Sequence, residues 1–350
     1  MIIETDHEEK IKVFDFFSGC GGTSKGLKEA GCEIFFGLDY DYDSGQTFQA
    51  NNPDAIFFNE DIRSVKLNDL FQLVKKAKQD SHVLFCGCAP CQPFSRQNKN
   101  KSKEDPRRGL LNEFGRFIEY YCPDYVLIEN VPGLQKVDIN DGPLHDFITL
   151  LKKKDYNLAY GVIPALWYGV PQTRERFVLM ASLHSPIHLP ERTHNGEDIP
   201  FATVRDWIGN IPPIEAGESH PTLRDHVSAK LSALNLKRIK ATPEGKGREF
   251  WPKELLLECH KNHTGHSDVY GRLAWDKPAS GLTTRCISYS NGRFGHPEQH
   301  RAISVREAAL LQTFPLDYIF IGSMLSKAKQ IGNAVPPKMA ESIGHVFMNI

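Results

Sequence analysis

Short apolar runs recur along the first half of the chain: VFDFFSG, EIFFGLD, HVLFCG, YVLIENV and RFVLMAS, each closing in a polar or glycine-rich turn. Continuous runs rich in Val, Ile, Leu and Phe are what strands buried on both faces require. The stretches between them, SKGLKEAG, SGQTFQAN and LNEFGRFIEYY, read as helices. Strand and helix alternate in this way over residues 11 to 180, which predicts a doubly wound α/β domain.

From about residue 183 the texture changes. HSPIHLPERTHNGEDIPF, NIPPIEAGESHP and ATPEGKGREFWPKE are rich in Pro, Gly, His and charge, and ten of the fourteen histidines lie between His184 and His300. A second domain with little regular structure is expected there. Helical texture returns at SVREAALLQTF and after QIGNAVPPKMAESIGHVF, and no internal repeat interrupts the chain.

Composition narrows the class. Hydrophobic residues make up 40% and charged residues 24% of 350, ordinary for a globular protein and short of disorder or a membrane span. MIIETDHEEKIK lacks the apolar core of a signal peptide, so a cytoplasmic location is expected. Eight unevenly spaced cysteines then read as reduced thiols. A net charge of −1 excludes a wholly basic nucleic-acid binder but not a basic face. Such a face is expected between Lys230 and Arg293, where twelve Lys and Arg stand against six Asp and Glu.

FDFFSGCGGTSKGLKEAG sets Gly19, Gly21 and Gly22 between a strand and a helix, and the next strand ends in Asp39. Glycines there let a ligand approach the backbone, and an acid at the second strand tip suits the hydroxyls of a ribose. Ser24 stands where a dinucleotide fingerprint would need its third glycine, so a nucleoside site is expected rather than a dinucleotide one. A tight strand-to-helix connection would need the same glycines. Tyr40 offers a face for adenine, and Asp61 could reach the adenine amino group.

CGCAPCQPFSRQN places Cys91 between Pro90 and Pro93 on a stiffened loop. Glu129 and Asn130 end the next strand, and Gln172, Arg174 and Arg176 alternate so that on one strand they would share a face. Each feature alone has a plainer reading: a structural thiol, a solvated turn, a charged edge. Zinc at Cys86, Cys88 and Cys91 is disfavoured because no second ligand pair stands at finger-like spacing, while ECHKNHTGH, with Cys259, His260, His263 and His266, leaves zinc open on its residues alone.

Taken together these stretches resemble the cytosine-C5 DNA methyltransferases along the whole chain. FDFFSGCGG, GLDYD, EDI, APCQPFS, IENVPG, PQTRERFVLM, REAALLQTFP and QIGNAVPP stand in that family's order. The resemblance implies a Rossmann-like S-adenosylmethionine-dependent catalytic domain of residues 1–183 plus 303–350 and a target-recognition domain of residues 184–302. It implies that Cys91 attacks C6 of a flipped-out cytosine in double-stranded DNA, that Glu129 hydrogen-bonds N3 and the exocyclic amine, and that Arg176, with Arg174 nearby, holds O2 and the adjoining backbone. S-adenosyl-L-methionine would be held by Phe17, Ser18, Gly19, Gly21, Gly22, Asp39, Tyr40, Asp61, Ile62, Asn333 and Val335. DNA contacts are expected from Gln172, Arg272 and Arg285, and from Arg96, Arg107 and Arg108 on a closing lid at residues 95–108. A monomer is expected, without a metal or membrane association; a cognate restriction endonuclease acting on the same site without stable association is a candidate partner whose existence the sequence leaves open. The competing readings are an RNA cytosine-C5 methyltransferase, though the Cys-Phe-Thr tripeptide of the tRNA-modifying branch is missing, and a catalytically silent DNA-binding regulator. A nicotinamide dehydrogenase is disfavoured by the glycine spacing and the thiol.

Overall fold

In β1 every residue from Ile11 to Phe16 is buried, and the same holds for β5, Tyr125–Asn130. Both alternating sets of side chains therefore need a covering layer, which is the demand a central parallel sheet makes. The computed structural model describes residues 10–89, 109–132, 142–258 and 268–350. Its elements begin with β1 (Ile11–Phe16), α1 (Gly22–Glu29), β2 (Glu33–Leu38), α2 (Tyr42–Asn51), β3 (Ile56–Phe58), α3 (Phe71–Ala77), β4 (His82–Gly87), α4 (Leu110–Tyr121), β5 (Tyr125–Asn130), α5 (Pro143–Lys153) and β6 (Asn157–Pro164). They continue with β7 (Gln172–Thr173), β8 (Glu175–Ser182), α6 (Val204–Ile208), α7 (Ala233–Lys240), β9 (Ala279–Ser280), α8 (Val305–Leu311), α9 (Met324–Asn333) and α10 (Pro337–Met348).

The chain divides into two compact units, Met1–Ile163 with Glu175–Glu191 and Met339–Ile350, and Pro164–Arg174 with Arg192–Lys338. The units cross the expected 183/184 and 302/303 boundaries: residues 164–174 and 303–338 group with the second unit and residues 184–191 with the first.

The first unit is a doubly wound α/β fold. Its seven-stranded sheet has the order β3-β2-β1-β4-β5-β8-β6. β1 pairs in parallel with β2 and β4, and β4 with β5, while β8 runs antiparallel to β5. One sheet face carries Phe14, Phe16, Phe36, Phe85, Val126 and Ile128 into a core with Phe114 and Phe147 of α4 and α5. On the other, Tyr125 packs at 5.4 Å on Phe347 of α10. Strand order reverses between β1 and β4, so the loops after these two strands open at the crevice where such sheets bind ligands. All five strands expected from apolar runs are present. No apolar run marked β3 or β6: one is three residues long, and both have largely half-exposed patterns.

The second unit has little sheet, the two-residue pair β7–β9. Buried arginines satisfy much of its irregular backbone. Arg272 donates to the carbonyls of Ile239, Thr242, His296 and Gln299, Arg301 to those of Ile214 and Ala302, and Arg306 to those of Arg224 and Tyr318. Arg301 also forms a two-pronged ion pair with fully buried Glu307, at 2.6 and 2.7 Å. Among the described residues no helix is long and apolar enough to cross a membrane.

Candidate active site

The turn after β1 is built on positive backbone angles. Phe17 has φ 62°, Gly19 φ 53° and Gly21 φ 86°. A Cβ on Gly19 would meet nothing within 4 Å, so its constraint is conformational and the space above it is open. Ser18 is buried and its Oγ has no hydrogen-bond partner among the described residues; its N–H donates to the Leu38 carbonyl at 3.0 Å. The Gly21 N–H closes back on the Ser18 carbonyl at 2.9 Å, and Gly22 opens α1.

Asp39 ties this turn to the next. Its Oδ2 accepts from the Gly19 N–H and its Oδ1 from the Asp41 N–H, both at 2.8 Å. Tyr40 beside it is largely exposed. Asp61 is a two-pronged partner of Arg63, at 2.9 and 2.5 Å, and the Arg63 hydrogen bond holds its carboxyl below the usual range. Ile62 packs its side chain into the core, and its carbonyl accepts from Arg116 at 2.6 Å.

One residue of this site went unread in the sequence. Asp15, inside the first apolar run, is fully buried on β1, with its Oδ2 accepting from Ser24 Oγ at 2.5 Å and its Oδ1 lacking a partner among the described residues. Burial, opposed by the Ser24 hydrogen bond and aided by the charge of Asp39, pushes its carboxyl up to about 7. Ser24, the departure from a dinucleotide fingerprint, thus serves a buried acid.

Across the switch point, Thr23 Oγ1 lies 3.4 Å from the Cys88 sulfur. The described chain reaches Ala89, whose carbonyl lies 3.4 Å from Asn130 Nδ2. Burial, and then the charge of Glu129, push the Cys88 thiol well above its ordinary range, which disfavours the thiolate a nucleophile needs. Cys91 lies outside the described residues, as do Arg96, Arg107, Arg108 and the ECHKNHTGH cysteine and histidines. The antiparallel register Glu129↔Val178 and Asn130↔Phe177 brings the end of β5 to the start of β8, where Arg176 Nε meets Glu129 Oε1 at 2.6 Å. A nearly buried carboxylate and guanidinium therefore stand together at the end of β5, the neighbour of β4, with the Glu129 charge close enough to act on the Cys88 thiol.

Gln172, Arg174 and Arg176 do not share one strand face. The strand breaks at Arg174, leaving Gln172 and Arg174 in the second unit and Arg176 in the first. Gln172 is fully buried: it donates to the Leu311 carbonyl and Gln312 Oε1, both at 2.6 Å, and accepts from the Leu282 N–H. A DNA contact from Gln172 is therefore corrected to a structural role. Arg174, also buried, donates to the carbonyls of Leu282, Gly332 and Ala334. Its expected place beside the cytosine gives way to a clamp on the GNAV segment. A Cβ on Gly332 would collide with the Thr283 carbonyl, which is why that segment needs glycine. Asn333 is exposed there and Val335 buried. Arg272 is likewise corrected: 3% exposed and spent on carbonyls, it has no reach to DNA. Of the twelve basic residues counted above, Arg238, Arg248 and Arg272 are all buried. Arg285 is exposed, as a contact residue must be.

The family model described as C-5 cytosine-specific DNA methylase matches residues 11–349. The chain belongs to that family. As a C-5 cytosine-specific DNA methylase it falls in the enzyme class DNA (cytosine-5-)-methyltransferase. This methylase is 40% identical over 338 residues to the type II methylase M.HgiDII of Herpetosiphon aurantiacus, covering 95% of this chain and 93% of that protein. It is 31% identical over 344 residues to the type II methyltransferase M1.HphI of Haemophilus parahaemolyticus, covering 97% and 87%. Its fold is similar to that of a prophage-encoded protein described as a DNA modification methyltransferase (E. coli), with TM-score 0.74 at 22% identity over 97% of this chain and 99% of the other.

Proposed function

We propose that this methylase transfers a methyl group from S-adenosyl-L-methionine to C5 of a flipped-out cytosine in a specific double-stranded DNA sequence, through a covalent bond between Cys91 and C6. The observation that carries the reading is the Glu129–Arg176 pair at the tips of β5 and β8, with Glu129 beside Cys88, three residues before Cys91 in the sequence.

Cytosine C5 is too weak a nucleophile to take a methyl group unaided. A bond from the Cys91 thiolate to C6 drives electron density onto C5, N3 and O2. Arg176 faces O2, and Glu129 accepts from the 4-amino group and, once protonated, donates to N3. Both then act where charge develops. After methylation the C5 proton leaves to solvent, the Cys91–C6 bond breaks, and the ring double bond is restored. When bound, S-adenosylmethionine supplies an electrophilic methyl on a sulfonium. The residues after β1 suit it: Ser18 Oγ is a buried polar atom without a described partner, the space over Gly19 is open, and the Asp39 carboxylate sits at the second strand tip.

The second unit supplies target recognition, with Arg285 among its DNA contacts, and the protein acts as a cytoplasmic monomer. The type II methylase relatives support a restriction-modification role, in which methylation protects a sequence from a cognate endonuclease. Bisulfite sequencing of DNA from cells expressing the protein tests this reading. The expected result is full protection of one cytosine in one short motif. Unprotected DNA throughout, or protection confined to RNA, would overturn it.

A further inference from the structure

Far from the reacting end of the sheet, three side chains converge. His82 opens β4, Asp124 immediately precedes β5, and His184 follows β8. His184 Nε2 lies 2.8 Å and His82 Nδ1 3.4 Å from the same oxygen, Asp124 Oδ1. One ligand atom from each residue lies within 4.8 Å of the others, the one such group among the described residues. The two imidazole rings approach to 4.7 Å.

We propose that His82, Asp124 and His184 bind one divalent transition-metal ion of the zinc class, with water completing its coordination. Two imidazole nitrogens and one carboxylate oxygen form a donor set such ions favour. Zinc bonds near 2.0–2.1 Å place tetrahedral ligand atoms about 3.3 Å apart. The distances of 2.8 and 3.4 Å already bracket that value. Closing the remaining imidazole–imidazole gap needs rotation of His184, whose side chain is 44% exposed and so has room to move.

The carboxylate is held for the purpose. Asp124 Oδ2 accepts from the Val83 N–H at 2.8 Å, and the Asp124 carbonyl accepts from the Leu183 N–H at 3.0 Å, next to His184. Outer hydrogen bonds of this kind orient ligands in built metal sites. Burial works against its charge, but the Val83 N–H and the His184 ring outweigh it and keep the carboxyl below its usual range. Lys78, whose charge also bears on Asp124, is tethered to the carbonyls of Tyr121 and Cys122.

Asp124 stands five residues from Glu129, roughly 16 Å along the strand. The ion therefore acts as a clip joining the ends of β4, β5 and β8, outside the chemistry.

The test titrates zinc into the chelator-stripped full-length protein by calorimetry, alongside His82→Asn, Asp124→Asn and His184→Asn. Asn at 124 retains an acceptor for the Val83 N–H, so that variant keeps the loop. The expected result is one micromolar equivalent in the wild type, weakened at least about tenfold in each variant. Cobalt substitution should give no thiolate charge-transfer band. Zinc binding unchanged in the three variants, no binding by the wild type, or a cobalt–thiolate band on the titrated equivalent would each overturn the site. Methyl transfer should be equal with and without the ion. Loss on metal removal would overturn the clip role.

Discussion

Replacing Asp15 by Asn should shift stability progressively in the variant's favour, relative to the wild type, as pH rises. The Asp15 carboxyl moves from an ordinary 3.8 to about 7 because it is buried with one oxygen lacking a partner. Its folded-state pKa exceeds its unfolded one, so the native state prefers the protonated acid. The wild type holds that advantage fully below pH 4 and loses it as pH climbs to 7. A shift of about 3 units corresponds to about 4 kcal/mol, of which roughly 3 kcal/mol falls between pH 5 and 8. Asn cannot ionise, and its carbonyl still accepts from Ser24 Oγ, which donates to Asp15 at 2.5 Å. Its amide hydrogens face the place where Oδ1 has no described partner, a constant offset of about 1–3 kcal/mol against the variant. The informative quantity is therefore the pH dependence of the difference, in which other titrating groups cancel. Urea unfolding of both proteins at pH 5, 6, 7 and 8 supplies it, and carbon NMR of the Asp15 carboxyl reads the titration directly. A stability difference that stays flat across this range, or a carboxyl titrating below pH 5, would refute the reasoning.

Further outcomes follow from the same geometry. Glu129→Gln should lower the rate of methyl transfer far more than DNA affinity, because the carboxylate acts on charge that develops in the transition state; single-turnover kinetics beside binding isotherms will separate the two. Arg174→Ala should cost about 3–5 kcal/mol of stability in denaturant titrations, since it strips hydrogen bonds from the Leu282, Gly332 and Ala334 carbonyls. Arg272→Ala should destabilise through its own lost carbonyl bonds. Arg285→Ala should instead leave the melting curve in place and either relax one position of the recognition sequence or reduce the salt slope of DNA binding by about 1.

The apolar runs announced five of seven strands because a strand covered on both faces leaves an unbroken mark in sequence. β3 and β6 left none, being short or half-exposed. Glu129 and Arg176 were singled out by the strand-tip and Gln-x-Arg-x-Arg motifs, and the structure places them 2.6 Å apart. The misread residues share one cause. A guanidinium suits a phosphate and a backbone carbonyl equally well, and in a segment poor in regular structure the carbonyls claim it first. Arg174 and Arg272 went that way, and Gln172 by the same logic. Asp15 stayed hidden because a single acid inside FDFFSG looks like strand; Ser24, nine residues on, was the available signal.

On the proposed mechanism, Cys91 should bond to C6 of the target cytosine. Duplex DNA carrying 5-fluorocytosine at the methylated position tests it, because fluorine cannot leave as the C5 proton does. Incubated with S-adenosylmethionine, the wild type should form a protein–DNA adduct stable to denaturing electrophoresis, with mass spectrometry placing the DNA on the peptide containing Cys91. The Cys91→Ser variant should form none and transfer no methyl group while still binding cofactor and DNA, since an alcohol is too weakly acidic to attack at neutral pH. An adduct mapped to another residue, or turnover retained by the serine variant, would contradict the account.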